Sequence, residues 1–223
     1  MRDSLYNKAW GDKMLKKYYT IKPYGQTEIE IQKSRFIAHA KRCETEQQAK
    51  DFISDIKKDH PQANHNCAAY MIGENDQIQK AMDDGEPSGT AGVPILEVIK
   101  KRELKDTCIV VTRYFGGIKL GAGGLIRAYS SSAKEAIDAA GVVLRKQVQK
   151  LEVIIDYPLL GKLENEVRQT SYLLESIDYL EKVTVHLAVE TDDVDACKNW
   201  LVNLTSDQAE ITETTQAYIE VPV

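Results

Sequence analysis

Two short segments of this chain combine residue types that can do chemistry. Residues 83–92 hold three carboxylates and two hydroxyls, and residues 113–127 hold five glycines and three cations. Carboxylates can transfer protons or hold hard cations, whereas a glycine-rich backbone beside a helix can hold phosphate. We therefore expect the working surface of the protein to lie in these two segments.

The glycine segment follows an apolar, β-branched run and precedes a helical pattern. Glycine lets main-chain N–H groups approach a ligand closely, and a helix N-terminus adds unpaired donors and positive potential. The spacing is neither a Walker A loop nor a GxGxxG dinucleotide motif. Alternatively, the glycines only supply turns with positive φ and close packing of a strand against a helix. The residues that we predict to bind phosphate or nucleic acid are Arg113, Gly116, Gly117, Lys119, Gly121, Gly123, Gly124, Arg127, Ser130 and Lys134.

Arg127 strengthens the phosphate interpretation because it is expected in or near the first turn of the helix. A cation there is disfavoured by roughly 0.3 to 1 kcal/mol against the helix macrodipole, so we expect it to face an anion. Alternatively, Arg127 pairs internally with Asp84 or Glu86. Three polar residues share its stripe at helical spacing, namely Ser130, Ser131 and Lys134.

The acidic segment contains candidate catalytic residues. Asp84 and Glu86 could act as general acid and base on an anionic substrate, assisted by His65 at the start of a predicted strand. Cys67 lies within the same apolar strand, where a cysteine is more often inert packing than a nucleophile.

The same carboxylates are weak candidates for a metal site. Asp83, Asp84 and Glu86 could bind a hard cation through oxygen, but their spacing does not fit an EF-hand. The commoner role of such a loop is to cap the next helix, here through Ser88 or Thr90. We expect no metal and no cofactor.

Composition predicts a soluble globular protein of the cytoplasm. The chain is 43% hydrophobic and 28% charged, without a signal-peptide core or a run of about 20 apolar residues that could span a membrane. Its four cysteines show no CxxC spacing, which favours reduced core thiols. Residues 1–141 carry 22 basic and 19 acidic side chains, a net of +3, whereas residues 142–223 carry 7 and 15, a net of −8. Charge therefore permits an anionic partner without requiring one.

Periodicity predicts an α+β protein of two domains. Residues 1–13 form a loose extension, and residues 14–141 contain a meander of three strands, a helix, a hairpin, a short helix, a buried strand and a long helix. In residues 142–223 the order of strands and helices is βαββαβ, which is the ferredoxin-like arrangement. One face of its third strand, residues 183, 185, 187 and 189, is predicted to be core.

Two long motifs resemble the signature of the Impact family, in its bacterial two-domain form. They read DGEPSGTAG over residues 84–92 and VTRYFGGIKLGAGGLIRAY over residues 111–129. The resemblance covers residues 14–223 and implies a ribosomal protein S5 domain 2-like domain followed by a domain similar to those of the translocating elongation factor. Eukaryotic relatives regulate translation by competing for an activator of an initiation-factor kinase. We expect this chain to lack the separate N-terminal module that makes that contact, so that role is not expected to transfer.

Three functional hypotheses follow. The first is an RNA-binding or ribosome-associated protein linked to translation, which contacts phosphates through the glycine segment. The second is an enzyme of the hydrolase or phosphotransfer type acting on a phosphorylated substrate. The third is a regulator whose acidic second domain docks on a protein partner. None of the three involves a membrane.

Overall fold

The structure is a computed structural model that describes residues 15–223, so the expected loose extension, residues 1–13, lies outside the described residues. The fold is α+β, as predicted. No helix within residues 15–223 is long and apolar enough to cross a membrane. In chain order the elements are β1 (Lys17–Ile21), β2 (Tyr24–Ile31), β3 (Ser34–Arg42), α1 (Glu46–Asp59), β4 (His65–Ile72), β5 (Ile78–Met82), α2 (Gly92–Lys101), β6 (Thr107–Tyr114), α3 (Gly121–Ala140), β7 (Val142–Ile155), α4 (Tyr157–Val167), β8 (Leu173–Tyr179), β9 (Val183–Glu190), α5 (Val194–Thr205) and β10 (Glu210–Pro222).

The first compact unit, Lys17–Arg145 with Glu220–Val223, is built on an antiparallel sheet in the order β2-β3-β6-β4-β5. Side chains alternate between its faces, so Ile109 and Val111 join the core under α2 and α3. Cys108 and Val110 point to the other face and pack with the buried residues of α1. The sheet is therefore covered by helices on both faces.

Strand direction brings the two predicted segments to one end of this sheet. Because β3, β4 and β5 pair with antiparallel neighbours, the starts of β3 and β4 meet the ends of β5 and β6. Arg113 near the end of β6 is paired with Phe36 on one side and His65 on the other. The acidic segment follows β5, and the glycine segment follows β6, so both emerge at this end.

The predicted three-stranded meander is wrong for β1. β2 and β3 form an antiparallel hairpin, with a turn at Gln32 and Lys33 where φ is 46° and 61°. β1 is separated from them by Pro23, which has no N–H to donate, and it pairs with β7 instead. The Lys22 N–H donates to the carbonyl of Gly141 at 2.9 Å. Alternation of residue types predicted the strand correctly but did not identify its partner.

The second compact unit consists mainly of Lys146–Ile219. Its strands have the spatial order β8-β9-β7-β10, which is the order of a ferredoxin-like βαββαβ unit. The predicted core face of β9 is confirmed, since its four side chains, Val183, Val185, Leu187 and Val189, are fully buried. They pack with buried side chains of α4 and α5, among them Leu163 and Leu201.

Candidate anion-binding site

Arg113 lies at the centre of the site and is buried. It points to the same face of the sheet as Val111, with 5% of its surface exposed. Its Nη1 donates to Glu86 Oε1 at 2.7 Å and its Nη2 reaches Ser34 Oγ at 3.4 Å. Its Nε finds no hydrogen-bond partner among residues 15–223. Arg113 is thus a buried ion-pair partner of Glu86 that keeps one donor without an acceptor within residues 15–223.

Glu86 joins three elements of the site. Its Oε1 also accepts a hydrogen bond from the Tyr129 hydroxyl of α3 at 2.7 Å, and its Oε2 lies 3.9 Å from His65 Nε2. Burial, followed by the proximity of Cys67, raises the pKa of Tyr129, so its hydroxyl remains a donor. Tyr129 was not among the predicted site residues, and its polar contact was missed.

Asp83 fixes the shape of the acidic segment. Its two carboxylate oxygens accept hydrogen bonds from the N–H groups of Gly89, Ala91 and Gly92 at 2.8, 3.1 and 2.8 Å. Burial pushes its pKa upward, but these three bonds outweigh burial and hold the pKa below its ordinary value. Asp83 therefore caps α2, because its carboxylate accepts from the N–H groups at the start of the helix. Both carboxylate oxygens of this candidate metal ligand are thus already engaged by main-chain N–H groups.

Capping of α2 by a loop hydroxyl was predicted wrongly. The N-cap residue of α2 is Ala91, whose side chain cannot accept a hydrogen bond from the helix. The Thr90 hydroxyl donates instead to the carbonyl of Pro87 at 2.6 Å. An acid eight or nine residues upstream performs the capping, a distance that sequence-local capping rules do not consider.

The candidate catalytic residues Asp84 and His65 meet, but through the main chain of Asp84. The Asp84 carboxylate accepts from Lys57 Nζ at 2.6 Å and from the Asn66 N–H at 2.7 Å. The carbonyl of Asp84 lies 2.9 Å from His65 Nδ1, and because a carbonyl only accepts, Nδ1 carries the proton. His65 Nε2 lies on the side of Glu86, 3.9 Å from its Oε2. The Asp84 carboxylate, in contrast, already accepts from Lys57 and Asn66.

The three carboxylates therefore serve separate partners. Asp83 binds main-chain amides, Asp84 binds Lys57 and Asn66, and Glu86 binds Arg113 and Tyr129. Across the described part of the chain, no group of three or more His, Cys, Asp or Glu side chains is placed to hold a metal ion.

Cys67 lies beneath the acidic segment. Its Sγ donates to the carbonyl of Asp83 at 2.9 Å, and burial raises the pKa of the thiol to about 12. A thiol with so high a pKa is a poor nucleophile, which agrees with its interpretation as core packing.

The glycines of the second segment divide into two groups. A Cβ at Gly116 would lie 2.0 Å from the carbonyl oxygen of Lys33, so this glycine serves close packing against the β2–β3 turn. Gly117 and Gly121 have φ of +85° and +68°, and a Cβ on either would meet nothing within 4 Å. The packing alternative thus describes Gly116, while Gly117 and Gly121 border open space.

α3 starts earlier than the sequence suggests. It begins at Gly121, so Gly123 and Gly124 belong to its first turn, and neither a capping side chain nor an acid is present there. Its first N–H groups have no intrahelical acceptors and carry the positive end of the macrodipole. Arg127 is the seventh helical residue and lies beyond the first turn, so the macrodipole argument for it is weaker than expected. It is exposed and forms no ion pair with Asp84 or Glu86.

A cavity of about 470 Å³ opens between these elements. Its wall includes His65, Glu86 and Arg113 on the sheet side, and Lys119 and Gly121 at the entrance to α3. The aromatic ring of Phe115, 46% exposed, stands at the same cavity. Sequence reasoning did not single out Phe115; an aromatic residue placed directly before the glycines was the available signal. The cavity combines helix N–H donors, cations and a flat apolar surface.

Of the ten predicted phosphate ligands, three line this cavity, namely Arg113, Lys119 and Gly121, and the other seven do not. Ser130 and Lys134 lie further along α3, where they border a separate cleft with Lys101 of α2 and the following residue, Arg102. Three residues of the predicted stripe, Ser130, Ser131 and Lys134, thus border the separate cleft, and Arg127 lines neither place.

The sequence matches two family profiles. The Impact N-terminal domain matches residues 32–137, and a domain of unknown function (DUF1949) matches residues 153–208. The IMPACT family member YvyE of Bacillus subtilis is 56% identical over 207 residues, which cover 93% of this chain and 95% of that protein. An IMPACT family member of Haemophilus influenzae is 35% identical, over 72% of this chain and 78% of that protein.

A solved structure described as that of a hypothetical protein has a similar fold. It aligns with a TM-score of 0.59 and 26% identity, covering 91% of this chain and 99% of that one. Both units of the chain thus have counterparts among known proteins.

Proposed function

The chain belongs to the Impact family, and we propose that it is an RNA-binding protein that takes a backbone phosphate at the N-terminus of α3. One observation carries the proposal: buried Arg113 lines the same cavity as the uncapped first turn of α3, and its Nε lacks a partner within residues 15–223. Buried donors without acceptors are rare and call for an explanation. A phosphate in the cavity would place negative charge beside this guanidinium and accept hydrogen bonds from the helix N–H groups.

The charge around the cavity supports an anionic ligand. Lys33, Lys119 and Arg127 are exposed, and none forms an ion pair with another described side chain. The carboxylate of Glu86 is neutralised by Arg113. Exposed cations without internal partners attract phosphate through counterion release.

The aromatic ring at the cavity favours a nucleic acid over free phosphate. Phe115 is 46% exposed and its ring centre lies 5.5 Å from the Arg113 guanidinium. A base can stack on an exposed ring of this kind, with a contribution of roughly 1–3 kcal/mol per base. Because stacking needs an unpaired base, we propose single-stranded RNA, such as a loop of ribosomal RNA, as the ligand.

Fluorescence anisotropy with a labelled 12-nucleotide RNA tests the proposal. Binding should weaken linearly in a plot of log K against log salt, and Arg127→Glu and Phe115→Ala should each lower the affinity. Lys58→Glu is the matched control, because Lys58 lies on α1 at the opposite face of the sheet. Absence of salt-sensitive binding, or equal losses in Arg127→Glu and the control, would contradict the proposal.

A second candidate, a phosphoesterase, is favoured by the tautomer of His65. With Nδ1 donating to the Asp84 carbonyl, Nε2 presents a lone pair at the cavity and could act as a general base. In that case His65→Gln should abolish turnover of an RNA or phosphoester substrate while leaving its affinity unchanged. RNA that stays intact after prolonged incubation with the wild-type protein, with and without Mg²⁺, would exclude this candidate.

A further inference from the structure

We infer that the bound RNA strand continues along α3 into a second phosphate-binding cleft, so that the ligand is a strand of several nucleotides and not a mononucleotide. The inference rests on the proposed function and specifies its ligand. The cleft is lined by side chains of α2 and α3 and has a volume of about 350 Å³; its polar lining residues are Lys101, Arg102, Ser130, Ser131 and Lys134.

The chemistry of this cleft matches phosphate. Lys101 and Lys134 form no ion pair with any side chain in the described range, whereas Arg102 is paired with Asp138 at 2.9 Å. The cleft therefore keeps about two uncompensated positive charges. The two serine hydroxyls lie beside them and can donate to phosphate oxygens, as serines often do in nucleic-acid complexes.

Helix geometry places the cleft at a distance from the first cavity that a short RNA strand can span. α2 and α3 both start at the same end of the sheet, since each follows one of the two loops that emerge there. Lys134 is 13 residues after Gly121, which corresponds to about 20 Å along the helix axis. A stacked strand rises about 3.4 Å per nucleotide, so this distance fits roughly six nucleotides.

Arg127 connects the two places. It precedes Ser130, Ser131 and Lys134 by three, four and seven residues, so all four lie on one face of α3. A strand that leaves the first cavity along this face would meet a cation about midway and two more at the cleft. Single-stranded nucleic-acid sites cover about 4–16 nucleotides per domain, and a track of about six nucleotides falls within this range.

A simpler explanation accounts for only part of the cleft. Lys101 and Arg102 end α2, where cations favourably face the negative end of the macrodipole. That effect does not explain why Lys134 and two serines of another helix face them. The two explanations differ in whether Lys134 affects the binding of long RNA.

Oligouridines of 2, 4, 8 and 12 nucleotides, titrated at several salt concentrations, test the inference. Affinity should rise with length up to about six to eight nucleotides and then level off. Lys134→Gln should weaken 12-mer binding about fivefold at 0.1 M salt and reduce the salt slope by about 0.7, whereas 2-mer binding should not change. Lys58→Gln, on the opposite face of the sheet, removes one lysine charge as the control and should change neither.

The outcomes separate the two proposals. If neither the 12-mer nor the 2-mer binds, the proposed function fails, and the inference fails with it. If both bind with the same affinity, or if Lys134→Gln matches Lys58→Gln on the 12-mer, RNA binding stands and the second cleft is overturned. Lys134 is an exposed residue, and an unchanged melting temperature will show that its variant is folded.

Discussion

Replacing Glu86 by Gln tests whether the charge balance in the first cavity controls anion binding. The carboxylate lies 2.7 Å from Arg113 Nη1, and both residues are less than one tenth exposed. The amide keeps the size and an acceptor oxygen but removes the charge. Removing one partner of a buried pair costs roughly 3–5 kcal/mol, and the retained hydrogen bonds place the expected loss of unfolding free energy near the lower end, about 3 kcal/mol.

The same substitution should strengthen RNA binding. A carboxylate about 6 Å from a bound phosphate, at an effective dielectric constant near 20, repels it by roughly 3 kcal/mol, and access of water to the cavity lowers that value. We therefore expect a gain of roughly 1–3 kcal/mol, which is about a 5- to 150-fold rise in affinity. Destabilisation accompanied by tighter binding is an unusual combination for a single substitution.

Urea unfolding and RNA anisotropy, measured on the same samples, give both quantities. Asp55→Asn is the control, because Asp55 is an exposed carboxylate of α1 on the opposite face of the sheet. It should change neither stability nor affinity by more than about 0.5 kcal/mol. If Glu86→Gln loses stability as expected but binds RNA no more tightly than wild type, the phosphate does not bind beside Arg113 and the reasoning is refuted.

Three further predictions concern the first unit. Burial lowers the pKa of His39 to about 4, so as pH falls the histidine is protonated in the unfolded chain before it is protonated in the folded protein. The free energy of unfolding should therefore drop by about 3 kcal/mol between pH 6.5 and 4. In urea unfolding, His39→Gln should remove this loss. Gly116→Ala should lower stability by about 3 kcal/mol in thermal unfolding because its Cβ meets backbone, whereas Gly117→Ala should lose only about 1 kcal/mol from its positive φ. With a pKa of about 12, Cys67 should resist alkylation at pH 8 until urea unfolds the protein; rapid reaction of the native protein would show that the thiol is accessible.

Much of the fold follows from local sequence patterns. The alternation in β9, which was predicted, is a consequence of neighbouring residues. The same holds for the cap of α1, where Thr45 accepts a hydrogen bond from the Gln48 N–H at 3.2 Å. The βαββαβ order was predicted for the same reason. The partner of β1 was not, because strand pairing is decided by tertiary contacts that alternation does not encode.

The candidate site was predicted less completely than the fold. The two loops were identified from residue types, since carboxylates and glycines cluster visibly in the sequence, and the structure brings both to one end of the sheet. The sequence did not show which arginine pairs with Glu86. Internal pairing was considered for Arg127, but Arg113 forms the ion pair and Arg127 is exposed to solvent. Burial depends on strand register, and two arginines near the same loop are alike in sequence until the register is known.

Asp83 has a consequence for how tightly the cavity can hold its ligand. Its three amide contacts hold the acidic segment in the folded protein, and its lowered pKa keeps the carboxylate charged into acidic solution. A wall that is already rigid loses little conformational entropy when a ligand arrives. A residue that never touches the ligand can thus limit how fast the ligand leaves, and loosening it would shorten the lifetime of the complex while leaving every direct contact in place.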